Sequence, residues 1–183
     1  MKTNDLQPTF KVSDFFVSII AFARSASINS IRLMDEVRRI SGNTYIQGFN
    51  TEVIFGKEHL IEALKITLEA LKRGIIVANR PEVDLMLRIA CTNQISEAIR
   101  YVGIKPGKGV CFIIFTKNEQ DLLKIRNYIL AKSSDPEDSE LGTERSTRMT
   151  IAARLGVEAG SYYFRDDSRF LKYLVERAAL VTK

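Results

Sequence analysis

Three apolar runs along the chain are typical of β-strands. Residues 15–23 (FFVSIIAFA) are rich in aromatic and β-branched side chains, and residues 109–115 (GVCFIIF) form a similar run without a charge. Residues 43–55 alternate apolar and polar positions around Gly48 and Asn50, which predicts one strand or a hairpin. A further short strand is predicted at 75–78. These runs predict a sheet with buried strands.

Elsewhere, apolar residues recur at every third or fourth position, which predicts helices. Ser27 is a suitable cap for the first helix and Gly42 a suitable end. Pro81 suits the first turn of a helix, so Asn79 or Arg80 precedes that helix and Asn79 lies at its N-terminus. The predicted helices span about 27–41, 57–73, 81–91, 92–102, 118–129, 143–155 and 168–181.

Strands that alternate with helices predict one α/β (α+β) domain over residues 1–183, with a sheet packed against several helices. A chain of 183 residues has the usual size of one compact domain and can fold without disulfides or metal. Cys91 and Cys111 lack the spacing of zinc ligands, so we expect buried free thiols and no metal site.

Basic residues are concentrated in the middle of the chain. The net charge of +5 permits an anionic partner. Between residues 72 and 108, seven basic side chains stand against three acidic ones. By contrast, residues 133–142 carry four acidic side chains and no basic one, together with Pro136 and Gly142, which predicts a solvated acidic loop.

The N-terminal residues lack a long apolar core, and no stretch reaches the roughly 18 apolar residues of a membrane span. We therefore expect a soluble protein without a membrane partner. A reducing, cytoplasmic location suits its free thiols.

Residues that could carry catalysis are scarce. His59 is the only histidine, and its place beside Leu60 in a predicted helix favours a packing role. The chain has no Gly-x-Ser-x-Gly, Walker lysine or GxGxxG motif, and residues 103–109 (GIKPGKG) lack the spacing of a phosphate loop. We expect no catalytic residue and no cofactor. A small enzyme that uses His59 is a rival hypothesis.

Residues 77–103 (VANRPEVDLMLRIACTNQISEAIRYVG), followed by IKPGKGVCFIIF, carry a recognisable pattern. Its core is Ala78-Asn79, Leu85 to Arg88, Ala90, Gln94-Ile95, Ala98-Ile99 and Val102-Gly103, with Lys57 to Leu60 and Ala63 upstream. Over residues 53–130 the chain resembles the kinase-binding subunit family of the KEOPS complex, called the PRPK-binding protein in animals. It departs from the family at Cys91-Thr92, where members commonly carry Ser-Gly, and in a longer C-terminal helical extension.

The resemblance implies a mixed sheet packed against helices and a direct complex with the small PRPK-type kinase, through which other KEOPS subunits are reached indirectly. It also implies binding of the single-stranded 3′ CCA end of transfer RNA in support of threonylcarbamoyladenosine (t6A) modification. The chemistry would belong to a partner subunit. A pure protein adaptor of the kinase that never touches RNA is the alternative.

Single-stranded RNA is bound through base edges, stacking and cations on phosphates, and the basic middle segment offers such groups. Asn79 and Gln94 are candidates for base edges or phosphate, although each could simply cap a helix. Arg88 could stack on a base or pair with Asp84 at helical spacing. Further candidates, either phosphate contacts or solvated charges, are Arg73, Arg80 and Lys105.

Two predicted helices offer candidate surfaces for the kinase. The first contains Glu97, Arg100 and Tyr101, and the second contains Phe170, Tyr173 and Leu174. A stable complex buries on the order of 1,600 Å² in an apolar patch with a polar rim. The alternative for each of these residues is that it faces the core.

Overall fold

The computed structural model describes residues 9–22, 29–132, 141–158 and 160–182. Within them, a four-stranded sheet forms the centre of the protein in the order β1-β2-β4-β3. Its strands are β1 (Phe10–Val12), β2 (Phe15–Phe22), β3 (Thr44–Asn50) and β4 (Val110–Thr116). Every residue of β4 is buried because the strand is paired on both edges and covered on both faces.

Helices account for most of the other described residues, together with two 3₁₀ turns at Thr51–Val53 and Tyr162–Phe164. The helices are α1 (Ser30–Ile40), α2 (Gly56–Lys72), α3 (Pro81–Ile89), α4 (Ile95–Val102), α5 (Glu119–Lys132), α6 (Arg145–Leu155) and α7 (Asp167–Ala179).

The sheet lies between two layers of helices. Successive residues of a strand face opposite sides, so Cys111, Ile113 and Phe115 of β4 pack with α2, α3 and α4. Phe112 and Ile114 pack on the other side with α1 and α5. A third apolar cluster, which includes Phe55 and Phe170, attaches α6 and α7 to the start of α2.

The predicted fold class is confirmed: the described residues form one α/β domain of a sheet packed against several helices. The strand pairing differs from the mixed sheet that the resemblance implied, because all three pairings are antiparallel. The reason is the position of β4. It lies between β2 and β3 and runs antiparallel to both, so these two strands share a direction without being neighbours.

Most predicted elements are confirmed within a few residues, including Pro81 at the start of α3 and Gly156 in the left-handed region after α6. The strand predicted at 75–78 is wrong, because this segment is a loop in which the Val77 N–H donates to the Asp84 side chain. Asn29 caps α1 through the Arg32 N–H at 3.1 Å, while Ser27 lies outside the described residues. Most of the acidic loop, residues 133–140, also lies outside them.

Candidate functional site

Asp84 and Arg88 form an ion pair in the interior of the protein. They stand four residues apart on α3, and Arg88 Nε donates to Asp84 Oδ2 at 2.7 Å. Asp84 also accepts from the Val77 N–H at 2.6 Å and from Thr67 Oγ1 at 2.9 Å. Arg88 Nη1 donates to the carbonyl oxygen of Ala178 at 2.9 Å. The pair therefore joins α2, α3, the loop before α3 and the end of α7.

This placement corrects the hypothesis that Arg88 stacks on an RNA base. Its side chain is 4% exposed, and its donors are directed at Asp84 and at the carbonyl oxygens of Ala178 and Val181. The alternative, a pair with Asp84 at helical spacing, is the arrangement observed. A guanidinium on the buried face of a helix requires such a partner, since an isolated buried charge is strongly disfavoured.

Asn79 and Arg80 lie in an exposed loop just before α3. Arg80 Nη2 lies 2.5 Å from Oε1 of the buried Glu82, an ion-pair contact without the alignment of a hydrogen bond. The Asn79 side chain forms no hydrogen bond with the described residues and does not cap α3. Its amide is therefore exposed and not used by the described residues.

A tight turn joins α3 to α4 and presents Gln94. The Thr92 N–H donates to the Leu87 carbonyl and the Cys91 N–H to the Arg88 carbonyl, both at 3.1 Å, with Cys91 at a φ of 51°. Thr92 Oγ1 then accepts from the Gln94 N–H at 3.2 Å. The exposed Gln94 amide donates to Asn93 Oδ1 at 3.4 Å and does not cap α4.

The candidate RNA contacts are spread over several places. Asn79 lies before the start of α3, and Gln94 lies after its end. Because a helix of nine residues is about 13 Å long, the two side chains lie at opposite ends of that length. Arg73 follows the last residue of α2 and pairs with Glu69 at 2.6 Å. Lys105 is exposed in the turn between α4 and β4. A single nucleotide cannot contact both ends of α3.

A groove of about 740 Å³ lies between α2 and the segment that follows α7. Arg73 and Arg88 both line it, and so do Ile75 and Thr182. The Asn93 amide donates to the Thr182 carbonyl at 3.3 Å, which connects this segment to the turn that carries Gln94. Arg73 therefore lines this groove, while Gln94 lies on the turn that bonds to its Thr182 wall.

α4 exposes two large apolar side chains. The sequence pattern places Ile95, Ala98, Ile99 and Val102 on one face, and the structure buries only Ala98 and Val102. Ile95 is 49% exposed and Ile99 is 56% exposed. They stand four residues apart, so they lie next to each other on the outer part of the apolar stripe. The sequence pattern placed this pair on the apolar face of a predicted helix and did not identify it as a surface.

The three α4 residues named as kinase contacts differ in their environment. Arg100 is exposed and Glu97 is half-buried, held by Thr92 Oγ1 at 2.7 Å and by Arg154. These contacts lower the pKa of the Glu97 carboxyl, led by the hydrogen bond from Thr92. Tyr101 is half-buried beneath the Arg154 guanidinium, and burial raises its pKa to about 12. Arg154 of α6 thus holds the side chains of Glu97 and Tyr101 on α4 in place.

Two of the three candidates on α7 belong to the core. Phe170 and Leu174 are buried in the cluster with Phe55, whose ring meets that of Phe170 edge-on at 5.0 Å. Their assignment to the kinase surface is wrong because they face α2 and α6 and fill the space between them. Tyr173 is half-buried, and its ring lies 5.0 Å from that of Tyr163.

His59 is buried in α2, which confirms the predicted packing role. Its Nδ1 accepts from the Phe55 N–H at 3.3 Å, and burial lowers the pKa of the imidazole to about 4. Burial also raises the pKa of the Cys91 thiol to about 11. Both groups are therefore neutral at pH 7. Within the described ranges, no cluster of three or more His, Cys, Asp or Glu side chains could hold a metal ion.

The described part of the chain contains no helix that is both long enough and apolar enough to span a membrane. Its distinctive surfaces are an apolar pair on α4 and exposed polar groups at the ends of α3, which are features of a protein that binds other macromolecules. The family model of kinase binding protein CGI-121 matches residues 28–150, and the chain belongs to that family. No curated protein matches the sequence.

Proposed function

We propose that this protein is a non-catalytic KEOPS subunit. It binds the small PRPK-type kinase and the single-stranded 3′ CCA end of transfer RNA, and so supports t6A modification. Membership of a family described as kinase-binding is the observation that carries the proposal. The residues that resemble the family are those around α3 and α4, where the exposed candidate groups lie.

Ile95 and Ile99 are the proposed centre of the kinase interface, with Arg100 and Glu97 at its rim. Two neighbouring isoleucines exposed by about half are costly to leave in water, and their burial against a partner removes that cost. Buried apolar anchors with a polar rim are the usual anatomy of a protein interface. Tyr101 lies behind the anchors and positions α4 through Arg154.

A charge at the centre of this interface should abolish the complex. We expect Ile99→Glu to weaken binding of the purified kinase at least about thirtyfold, the loss typical of an interface hot spot. Leu123→Glu is the matched control, because Leu123 is also exposed but lies on α5, on the other side of the sheet. Titration calorimetry would measure both variants. If Ile99→Glu binds the kinase as tightly as the native chain does, α4 is not part of the kinase interface.

The proposed RNA contacts are the exposed groups Asn79, Gln94, Arg73, Arg80 and Lys105. Asn79 and Gln94 lie at opposite ends of α3, so in this proposal they bind different nucleotides of the tail. Arg88 contributes indirectly, since its pair with Asp84 orders both the loop that carries Asn79 and the end of α3.

Transfer RNA with and without its CCA end tests this role at matched salt. We expect trimming to weaken binding strongly, and Asn79→Ala to weaken binding of the intact RNA roughly threefold to tenfold, as one lost hydrogen bond would. Asn127→Ala, on the exposed surface of α5, is the control. If neither RNA binds while the kinase still does, the pure adaptor is the correct function. If the two RNAs bind equally, the CCA end is not what the protein recognises.

A further inference from the structure

Two tyrosine side chains are exposed on the 3₁₀ turn before α7. Tyr162 is 57% exposed and Tyr163 is 38% exposed, and their rings meet at 5.7 Å and 80°. No residue of this turn is buried. Phe164, the third residue of the turn, is half-buried and packs with Phe170 and Tyr173 at the adjacent core. The two rings are therefore available at the surface and are not needed to fill the interior.

Positive charges surround these rings. The Arg169 guanidinium lies 4.4 Å from the centre of the Tyr162 ring, and that of Arg165 lies 6.0 Å from it. Tyr162 and Tyr163 line a groove of about 670 Å³, and Lys172 lines it as well. Lys172 forms no ion pair with the described residues. Asp166 and Glu176 also line the groove, and Asp166 both caps α7 and pairs with Arg169, whose Nε lies 3.3 Å from Asp166 Oδ2. The Arg169–Asp166 pair is neutral, so Arg165 and Lys172 against Glu176 leave a small positive excess beside the rings.

We propose that this tyrosine patch, formed by Tyr162, Tyr163, Arg165, Arg169 and Lys172, binds a short single-stranded RNA segment. Aromatic rings interleaved with cations are the usual platform for unpaired bases, because the rings stack on the bases while the cations contact phosphates. An acidic peptide would use the cations, but Asp and Glu side chains have no aromatic ring to stack on the tyrosines. The patch lies outside the family match at 28–150 and apart from the groups proposed for the CCA end.

The absence of tryptophan makes the test direct, because emission on excitation at tyrosine wavelengths comes from the six tyrosines. The probe is a ten-nucleotide single-stranded RNA of A and U that lacks CCA. We expect it to quench tyrosine emission and to bind with a shallow salt dependence, since it touches few phosphates. Tyr162→Ala should weaken its binding roughly tenfold or more.

The double variant Tyr162→Phe with Tyr163→Phe separates stacking from other effects. It keeps both rings, so we expect an affinity within about twofold of the native value but a much smaller change in emission, because phenylalanine replaces the reporting rings. Leu180→Ala, at another exposed side chain, is the control for a surface truncation. A thermal melt of each variant confirms that it is folded.

The proposal fails if the native protein does not bind the probe at low salt, or if Tyr162→Ala binds it as well as the native protein. It also fails if a polyglutamate peptide binds in place of the RNA, which would assign the patch to an acidic protein partner. Asn79→Ala should leave this probe unaffected. Failure of the CCA hypothesis would instead appear as equal binding of intact and trimmed transfer RNA.

Discussion

Cys91 ends α3 in a conformation that suits glycine. Its φ of 51° lies in the left-handed region, where a side chain costs roughly 1–2 kcal/mol. The turn imposes this angle, because the Cys91 and Thr92 N–H groups bond to carbonyl groups of the last turn of α3. The resemblance aligns the family serine with Cys91 and the family glycine with Thr92, so the left-handed residue of this turn is not at the family's glycine position.

We expect Cys91→Gly to be more stable than Cys91→Ala by about 1 kcal/mol, the reverse of their usual order in helices. Both variants remove the thiol, so the comparison isolates the backbone. Urea unfolding at pH 7 measures the difference. An alanine variant as stable as the glycine variant would mean that Cys91 is not strained in solution.

Arg88 is a structural residue whose position in a basic segment of the sequence suggested RNA binding. Arg88→Met should lower the free energy of unfolding by about 3–5 kcal/mol, because it leaves Asp84 charged and buried without its partner. A loss of RNA binding by this variant would therefore not by itself assign Arg88 to an RNA site. Chemical denaturation measures the stability loss.

The double variant Asp84→Asn with Arg88→Met is the control for this prediction. It removes both charges, so we expect it to recover part of the lost stability. If Arg88→Met is as stable as the native chain, the ion pair does not support the fold in the way proposed.

At the scale of elements, α7 belongs to the structural core even though it lies beyond the family match. Phe170→Ala should cost about 3–5 kcal/mol, since it opens a cavity among Phe55, Ile151 and Leu174. Leu180→Ala, just after α7 and 71% exposed, should cost less than about 0.5 kcal/mol. Thermal unfolding measures both. Similar melting points for the two variants would show that α7 is only loosely attached.

In α4, the spacing of apolar residues predicts the helix but not which of these residues are buried. Its apolar stripe was predictable, and so was its end at Gly103. Which part of the stripe is covered depends on α3, α6 and the sheet, because a helix of eight residues can bury only the side that its neighbours reach. The exposed isoleucines were therefore indistinguishable from core residues in the sequence.

At the scale of the whole molecule, stability should depend on pH through His59. Its folded-state pKa of about 4 lies below the ordinary 6.5 of an unfolded histidine, because burial disfavours the charged ring. The folded state therefore resists protonation while the unfolded chain accepts it. The contribution is complete above pH 6.5 and is lost as the pH falls towards 4, by about 3 kcal/mol in total.

Urea unfolding at pH 7, 6 and 5 measures this dependence in a range where carboxylates contribute little. His59 is the only histidine, so we expect the free energy of unfolding of His59→Gln to change little between pH 7 and pH 5. The glutamine keeps an acceptor for the Phe55 N–H. If the free energy of unfolding of the variant falls with pH as steeply as that of the native chain, another group is responsible for the pH dependence.

The sequence alone determined the elements and the fold class. Apolar runs and helical periods are local properties, and Pro81 and Gly156 mark helix boundaries through the backbone angles they favour. Gly103 ends α4 where a Cβ atom would clash with the Ile99 carbonyl oxygen. Adjacent residues are enough to define these signals. The strand at β4 and the packing role of His59 followed from the same reasoning.

Only the tertiary structure decided which polar residues are available to a ligand. Arg88 is bound by a carbonyl group 90 positions further along the chain, and Asp84 bonds to both Thr67 and Val77. Such partners are set by how α2, α3 and α7 pack, and no local pattern encodes them. Burial of Phe170 and exposure of Ile99 were decided in the same way, because each depends on which neighbouring element covers that side of its helix.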